Sequence, residues 1–314
     1  MSKSTGMASV QIWRRSMDAY KNESTKKRIE RSIKWSALSL AHPLATREWL
    51  TYLESSAMSR FDQANPLLVF KPFRPYLSSA WRFKHRVKVL KDTYDFAHSH
   101  FNILGQALIN PTGKELLRFD LPNYGTIVAN LGFDNRYRKE GEFRLLLTAR
   151  NEIDSFALSF AFESDDRGDV SCCIGCIQGK EGSKEAFKEL TKELHGLRPR
   201  SLLIFILQEV ARVLGVRELL APGESIQVRR AQHLIHLSKL HSLEFDYDSL
   251  WLELGGQVLT NGWYRLPLET ARRSSGQIAS KKRAQYARRY SLMDDMIVQL
   301  RSNMRANIPA HLLI

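Results

Sequence analysis

The sequence predicts an α/β protein of the α+β type: a helical N-terminal region, a central and mostly antiparallel sheet with packed helices, and a basic amphipathic helix at the C-terminus. Three observations predict it. Apolar residues recur at alternating steps of three and four before residue 110 and again after residue 280, the period of a helix face. Between them, short apolar runs are broken by Pro, Asn, Asp and Gly, the texture of closely spaced strands. Charge changes at the same places. Residues 1–110 carry 18 basic and 8 acidic side chains, residues 111–270 carry 20 and 23, and residues 271–314 carry 9 and 2. The expected division is a basic helical region over 1–110, an α/β domain over 111–270 and a basic helix over 271–314.

In the first region Val10, Trp13, Met17 and Tyr20 mark one apolar face, and Ile29, Ile33 and Leu40 continue the helical spacing. Both faces are expected to pack inward. His42-Pro43 suits a helix start, because proline at the first helical position gives up only an N–H that lacks a helical partner. Residues 65–76, with Pro66, Pro72 and Pro75, read as extended loop. Over 79–101, Phe83, Val87, Leu90, Tyr94, Ala97 and Phe101 keep a 4-3-4-3-4 rhythm, with Arg82, Lys84, Arg86, Lys88 and Lys91 on the other face.

Strands are expected at 116–120, 126–131, 142–149, 153–162 and 170–178, with a turn at Asn151-Glu152. Their spacing is too short for parallel crossovers, so they should form a meander. An amphipathic helix follows at 183–195 with Ser183 as N-cap, then a helix at 201–214 apolar nearly all round and therefore buried. A strand at 216–221, a helix at 247–254 and a strand at 263–266 complete the middle. The last helix, 280–306, carries the seam Tyr286, Tyr290, Met293, Ile297, Leu300 and Met304.

Lys and Arg outnumber Asp and Glu by 47 to 33, a net charge of +14. Such a field favours a polyanion or an anionic membrane surface; the plainer reading is solvated helix faces that keep the chain soluble. No secretory signal is visible in residues 1–20, and the longest apolar run, 202–207, falls far short of the roughly 18 residues that a spanning helix needs. Three cysteines within 172–176 argue against a disulfide framework and for a reducing compartment. The expected location is the cytoplasm, with peripheral attachment to the inner membrane as an option.

Cys173-x-x-Cys176 could be half a zinc site, but the His233-x-x-His236 pair lies about 60 residues on, beyond zinc-finger spacing. By strand parity Cys172 and Cys176 share a face and Cys173 points oppositely, so buried filler is the better reading and no metal is expected. Ala211-x3-Gly215 has the turn of a helix-turn-helix, yet Pro222-Gly223 falls where a recognition helix should run, so nucleic acid is disfavoured.

The run from strand 170–178 through the turn Gly196-Leu197-Arg198-Pro199-Arg200 to helix 201–214 and strand 216–221 resembles the cofactor-binding heart of GNAT-type acyltransferases. That resemblance implies acyl-CoA, or the phosphopantetheine of an acyl carrier, with its phosphates at a helix N-terminus. Gly196, Arg198, Arg200 and Ser201 are the candidate cofactor contacts, Ser201 as the cap, and His195 and Tyr264 the candidate acid or base. The glycine pair of that family's loop is absent, and an extra helix at 183–195 intervenes. Lys281, Lys282, Arg283, Arg288 and Arg289 crowd the start of the last helix, where positive charge opposes the macrodipole unless an anion or partner is present. They are the candidate membrane- or anion-docking set.

Several segments together resemble the VirK/YbjX family of enterobacterial and related proteins. His195-Gly196-Leu197-Arg198-Pro199 and Ser280-Lys281-Lys282-Arg283-Ala284 are the most distinctive, supported by His42-Pro43 and residues 46–50, 140–147, 174–179, 247–256 and 262–267. The resemblance implies a virulence-associated accessory protein affecting the envelope: display of surface virulence proteins and tolerance of antimicrobial peptides. It brings no secured reaction or cofactor. A non-enzymatic protein docking on the inner membrane face, on an envelope-related protein or on nucleic acid is the alternative.

Overall fold

The computed structural model describes residues 2–149, 154–180, 184–228 and 246–305. Ser183, the Asn151-Glu152 turn and the His233–His236 pair lie outside the described residues. Helices α1 (Ser2–Ala19), α2 (Thr25–Ala41), α3 (Pro43–Leu53) and α4 (Ser59–Ala64) lead through a 3-10 helix (Leu68–Phe73) to α5 (Phe83–Ser99) and α6 (Gln106–Ile109). Pro43 opens α3 as its spacing predicts. Residues 68–73 are not extended: Leu68, Val69, Phe70, Lys71 and Pro72 are all buried in the 3-10 turns, where Pro72 fits because few backbone bonds are asked of it.

Strands β1 (Lys114–Leu121), β2 (Gly125–Gly132), β3 (Phe143–Ala149), β4 (Asp154–Ser164) and β5 (Val170–Gly179) form the antiparallel meander. Helices α7 (Lys184–Glu193) and α8 (Pro199–Val213) then cross to β6 (Glu218–Pro222). Helix α9 (Tyr247–Glu253), the hairpin β7 (Gln257–Val258) and β8 (Trp263–Leu266), and α10 (Arg283–Arg305) finish the chain. Among the described residues the sheet order is β1-β2-β3-β4-β5-β6-β8-β7, and β5–β6 is the one parallel pair. This is the mostly antiparallel sheet expected.

The 4-3 rhythm of α5 is buried at Phe83, Val87, Leu90, Tyr94 and Ala97. The helix lies on β4, where the Thr93 hydroxyl accepts from the Phe162 amide at 3.0 Å and Asp92 accepts from the Ser164 amide at 2.9 Å. Three of its cations are held: Lys91 pairs with Glu48 at 2.7 Å, Lys88 with Asp92 at 2.7 Å, and Arg86 donates to the Arg74 carbonyl. Beneath α5 the fully buried Lys71 ammonium meets the Glu142 carboxylate, and Tyr94 donates to the other Glu142 oxygen at 2.6 Å. Burial pushes the Lys71 pKa down and Glu142 opposes that shift. One continuous core joins all three charge regions, from Trp35 and Leu50 through Phe160 and Leu203 to Met293 and Leu300.

Two expectations need correction. Of the two expected faces only Tyr20 is buried and Met17 half-buried, whereas Val10, Trp13, Ile29, Ile33 and Leu40 are exposed; Ala8, Ile12, Ser16, Ser32, Trp35 and Ser39 turn inward instead. The cysteine parity is also reversed. Cys172, Cys173 and Ile174 lie opposite Phe162, Ala161 and Phe160, but Cys176 lies opposite Ser159, so Gly175 is an extra residue in β5. The bulge puts Cys173 and Cys176 on one face and Cys172 on the other. A Cβ at Gly175 would lie 1.7 Å from the Glu140 carbonyl oxygen, which is why the bulge is glycine. All three thiols are buried and none is in a disulfide, and no metal-ligand cluster exists among the described residues.

Candidate functional site

The parallel strands β5 and β6 pair at only three positions, Ser171↔Glu218, Cys172↔Leu219 and Cys173↔Leu220. Beyond them β5 runs on to Gly179, while β6 turns its last residues to β8 through Ala221↔Tyr264 and Pro222↔Trp263. The strands therefore part at their C-terminal ends, and α9 stands in the gap. Tyr247 donates its hydroxyl to the Ile177 carbonyl at 3.2 Å and accepts from the Ile177 amide at 3.4 Å. One helical turn later, the Trp251 indole donates to the Pro222 carbonyl at 2.9 Å. One face of α9 thus ties both parted strands.

Beside this gap, the turn between α7 and α8 is built on two left-handed residues, His195 (φ 53°) and Gly196 (φ 83°). Glycine suits the second, since a Cβ there would come within 2.6 Å of the Arg289 guanidinium. Arg289 reaches across from α10 and donates to the His195 carbonyl through Nε at 3.0 Å and Nη2 at 2.8 Å, with its guanidinium over the Tyr286 ring. The turn delivers the chain to α8, whose first residue is Pro199 and whose N-cap, Arg198, makes no side-chain capping bond.

An open cleft of about 440 Å³ lies over this helix start, lined by Phe156, Phe187, Lys188, Thr191, Arg198, Pro199 and Arg200. Its size suits a small ligand. Two phenylalanines and a proline make its apolar wall; Lys188, Arg198 and Arg200 bring cations to the helix N-terminus. Arg198 pairs with Glu253 at 2.8 Å in an exposed position. Arg200 is half-buried, and burial lowers its pKa against the pull of Tyr247. The arrangement can hold a phosphate-bearing ligand with an apolar arm.

The sequence candidates divide between two places. Gly196, Arg198, Arg200 and Ser201 share the turn and the first turn of α8. Ser201 does not cap the helix, because Pro199 starts it two residues sooner and leaves Ser201 at the third position. His195 adjoins them; burial first, then Arg288 and Arg289, push its pKa below the ordinary 6.5. Tyr264 sits elsewhere, on β8 between Ala221 and Val258. Burial raises its pKa, and a hydrogen bond to Asp248 adds to that. Of the docking set, Arg289 clamps the turn and Arg288 acts on His195; Lys281, Lys282, Arg283 and Arg288 are exposed.

Sequence reasoning missed Tyr247 and the Phe156–Phe187 wall, whose rings lie 4.1 Å apart. The i, i+4 pair Tyr247 and Trp251 was the available signal. The helix-turn-helix reading also fails here: α8 is buried, with Glu209 held by Arg301 at 2.8 Å, and residues 218–222 form a strand.

The family model described as a protein of unknown function, DUF535, matches residues 24–302. The chain belongs to the DUF535 family. DUF535 relatives include YbjX of Escherichia coli (strain K12), 27% identical over 276 residues, 85% of this chain and 81% of YbjX. A Haemophilus influenzae protein is 36% identical over 149 residues, 47% of this chain and 46% of that protein. A Mannheimia haemolytica protein named membrane protein LapB is 27% identical over 203 residues, 59% of this chain and 83% of LapB. The VirK/YbjX resemblance read in the sequence therefore holds. In this DUF535 member the matched span includes the whole α7–α8 cleft and α9, and no helix among the described residues is long and apolar enough to cross a membrane.

Proposed function

We propose that the protein is a GNAT-type acyltransferase that takes its acyl group from acyl-CoA or an acyl carrier and acts, from the cytoplasmic side, on a component of the bacterial envelope. The observation that carries this reading is the cleft at the α8 N-terminus, set beside the parted parallel strands, with Lys188, Arg198 and Arg200 around an apolar wall. Cations and a helix N-terminus would hold the cofactor phosphates, and Phe156 and Phe187 the pantetheine arm. In the transfer, an acceptor amine or hydroxyl attacks the thioester carbonyl, the C–S bond breaks and the departing thiolate takes up a proton. His195, neutral at pH 7, would remove the acceptor proton, and Tyr264 remains the alternative acid or base. The envelope setting rests on the VirK/YbjX relationship and its association with virulence, surface-protein display and antimicrobial-peptide tolerance.

One observation favours a second reading. Tyr247 already satisfies the Ile177 amide and carbonyl in the gap, as a side chain would in a protein that binds the thioester without turning it over. Thermal unfolding with CoA, acyl-CoA and acyl carrier protein tests both. A ligand of the native state raises the melting temperature, and Arg198→Ala with Arg200→Ala should abolish the rise. A rise without release of free thiol selects the binding protein. No rise, or a rise unchanged in the double variant, removes the site.

A further inference from the structure

Helices α1 and α2 are amphipathic the wrong way round for a pair that merely covers a core. Their inward sides carry serines: Ser16, Ser32 and Ser39 are buried. These small residues let the helices approach closely, with the Ser36 hydroxyl donating to the Ser9 carbonyl at 3.4 Å and Arg28 donating to the Met17 carbonyl at 2.9 Å. Ala8 and Ile12 also face inward, but most of the large aliphatic residues point away. Met7 is 68% exposed, Val10 51%, Ile33 57% and Leu40 52%, with Trp13 and Ile29 exposed between them. On α2, residues 29, 33 and 40 fall on one face at helical spacing, and on α1 residues 7, 10 and 13 do the same. Because residue 9 meets residue 36 and residue 17 meets residue 28, the two helices run antiparallel, and the two apolar faces lie side by side as one outward band.

Cations stand within and beside that band. Arg14 follows Val10 by four residues and Lys26 precedes Ile29 by three, which places each on its helix's apolar face. Lys27 and Lys34 are exposed elsewhere on α2. The acids nearby are fewer: Asp18 and Glu30 are exposed, while Glu23 is held by Arg31 at 2.7 Å. An aliphatic band with an indole at its margin and long basic side chains around it matches the boundary between acyl chains and anionic headgroups. A second copy would meet the same positive charge, and nucleic acid would find nothing for the aliphatic residues.

We propose that the outward face of the α1–α2 hairpin docks the protein on an anionic lipid surface, the hairpin lying in the plane of the interface. The site is distinct from the acyl-thioester cleft and shares no residue with it. It also differs from the exposed cations at the start of α10, which have no comparable band among them.

The test is sedimentation of the full chain with vesicles of phosphatidylcholine alone, or of phosphatidylcholine mixed with phosphatidylglycerol, at low and high salt. The expected result is binding to the mixed vesicles, weakened by salt. Val10→Asp with Ile33→Asp should reduce partitioning by more than about tenfold. The thermal midpoint should be kept, since both side chains already face water. Replacing Arg14, Lys26 and Lys34 by Gln should weaken binding about tenfold or more. Binding untouched by Val10→Asp with Ile33→Asp, or lost only when Lys281, Lys282, Arg283 and Arg288 are neutralised, would overturn the proposal. So would absence of binding to the mixed vesicles. Self-association removed by the same double substitution would give the band to a second copy instead. A melting shift with acyl-CoA reads the cleft alone, so either proposal can fail without the other.

Discussion

Tyr247 and Ile177 exchange two hydrogen bonds across the gap left by β5 and β6, the tyrosine hydroxyl serving as both donor and acceptor. A side chain here completes an edge of main chain that the sheet itself leaves unpaired. Tyr247→Phe keeps the ring and deletes both bonds, stranding a buried amide and carbonyl. It should cost about 1–3 kcal/mol, read as a lower urea midpoint at unchanged slope. If the thioester arm of a ligand uses the same backbone groups, the variant also binds acyl-CoA more tightly than the parent, measured by calorimetry.

Lys71 and Glu142 form the most deeply buried ion pair described here, with Tyr94 on the second carboxylate oxygen. Lys71→Met leaves the carboxylate without its cation in a dry site, and a loss of about 3–5 kcal/mol is expected from guanidinium denaturation. Adding Glu142→Leu should restore much of that loss, because the pair's own attraction is largely cancelled by what its burial costs.

Arg289 and Arg288 are neighbours in sequence and opposites in role. Arg289→Ala removes two charge-assisted bonds to the His195 carbonyl and should destabilise the protein by about 1.5–3 kcal/mol. Lys281→Ala and Lys282→Ala, on exposed positions, should stay within about 0.5 kcal/mol of the parent in the same melts.

Asp134 supplies the pH test. Burial alone would raise its pKa, but hydrogen bonds from Arg136 and Arg144 outweigh it and hold the carboxyl below its ordinary 3.8. A carboxylate with a lowered folded-state pKa stabilises the fold above its unfolded value and loses that contribution as pH falls through the folded value. Asp134→Asn should therefore be about 1 kcal/mol less stable than the parent at pH 7, with the difference closing below pH 3.8. A difference that persists in acid would point to packing rather than charge.

Most elements were legible because their periodicity and their burial agree. The α5 seam from Phe83 to Ala97 is buried, and so are Met293, Leu300 and Met304 in α10. The hairpin of α1 and α2 was misread because periodicity reveals a face without saying which way it turns, and here serines hold the helices together. The bulge at Gly175 escaped notice since one added residue reverses parity without altering composition. The turn at His195–Ser201 was visible through its glycine and its cations. Tyr247 was not, because its partner on β5 is 70 residues away and only the tertiary fold joins them.

The placement of α5 on β4 has a consequence for synthesis. Helix α5 ends at Ser99, but the strand that covers it ends at Ser164. A ribosome adds about 5–20 residues per second. For several seconds Tyr94 of the nascent helix can rest on Phe61 of α4, but Thr93 and Phe96 lack Phe162, their partner on β4. The N-terminal helices can therefore gather around α5 first, and the side of α5 that meets the sheet stays uncovered until β4 arrives.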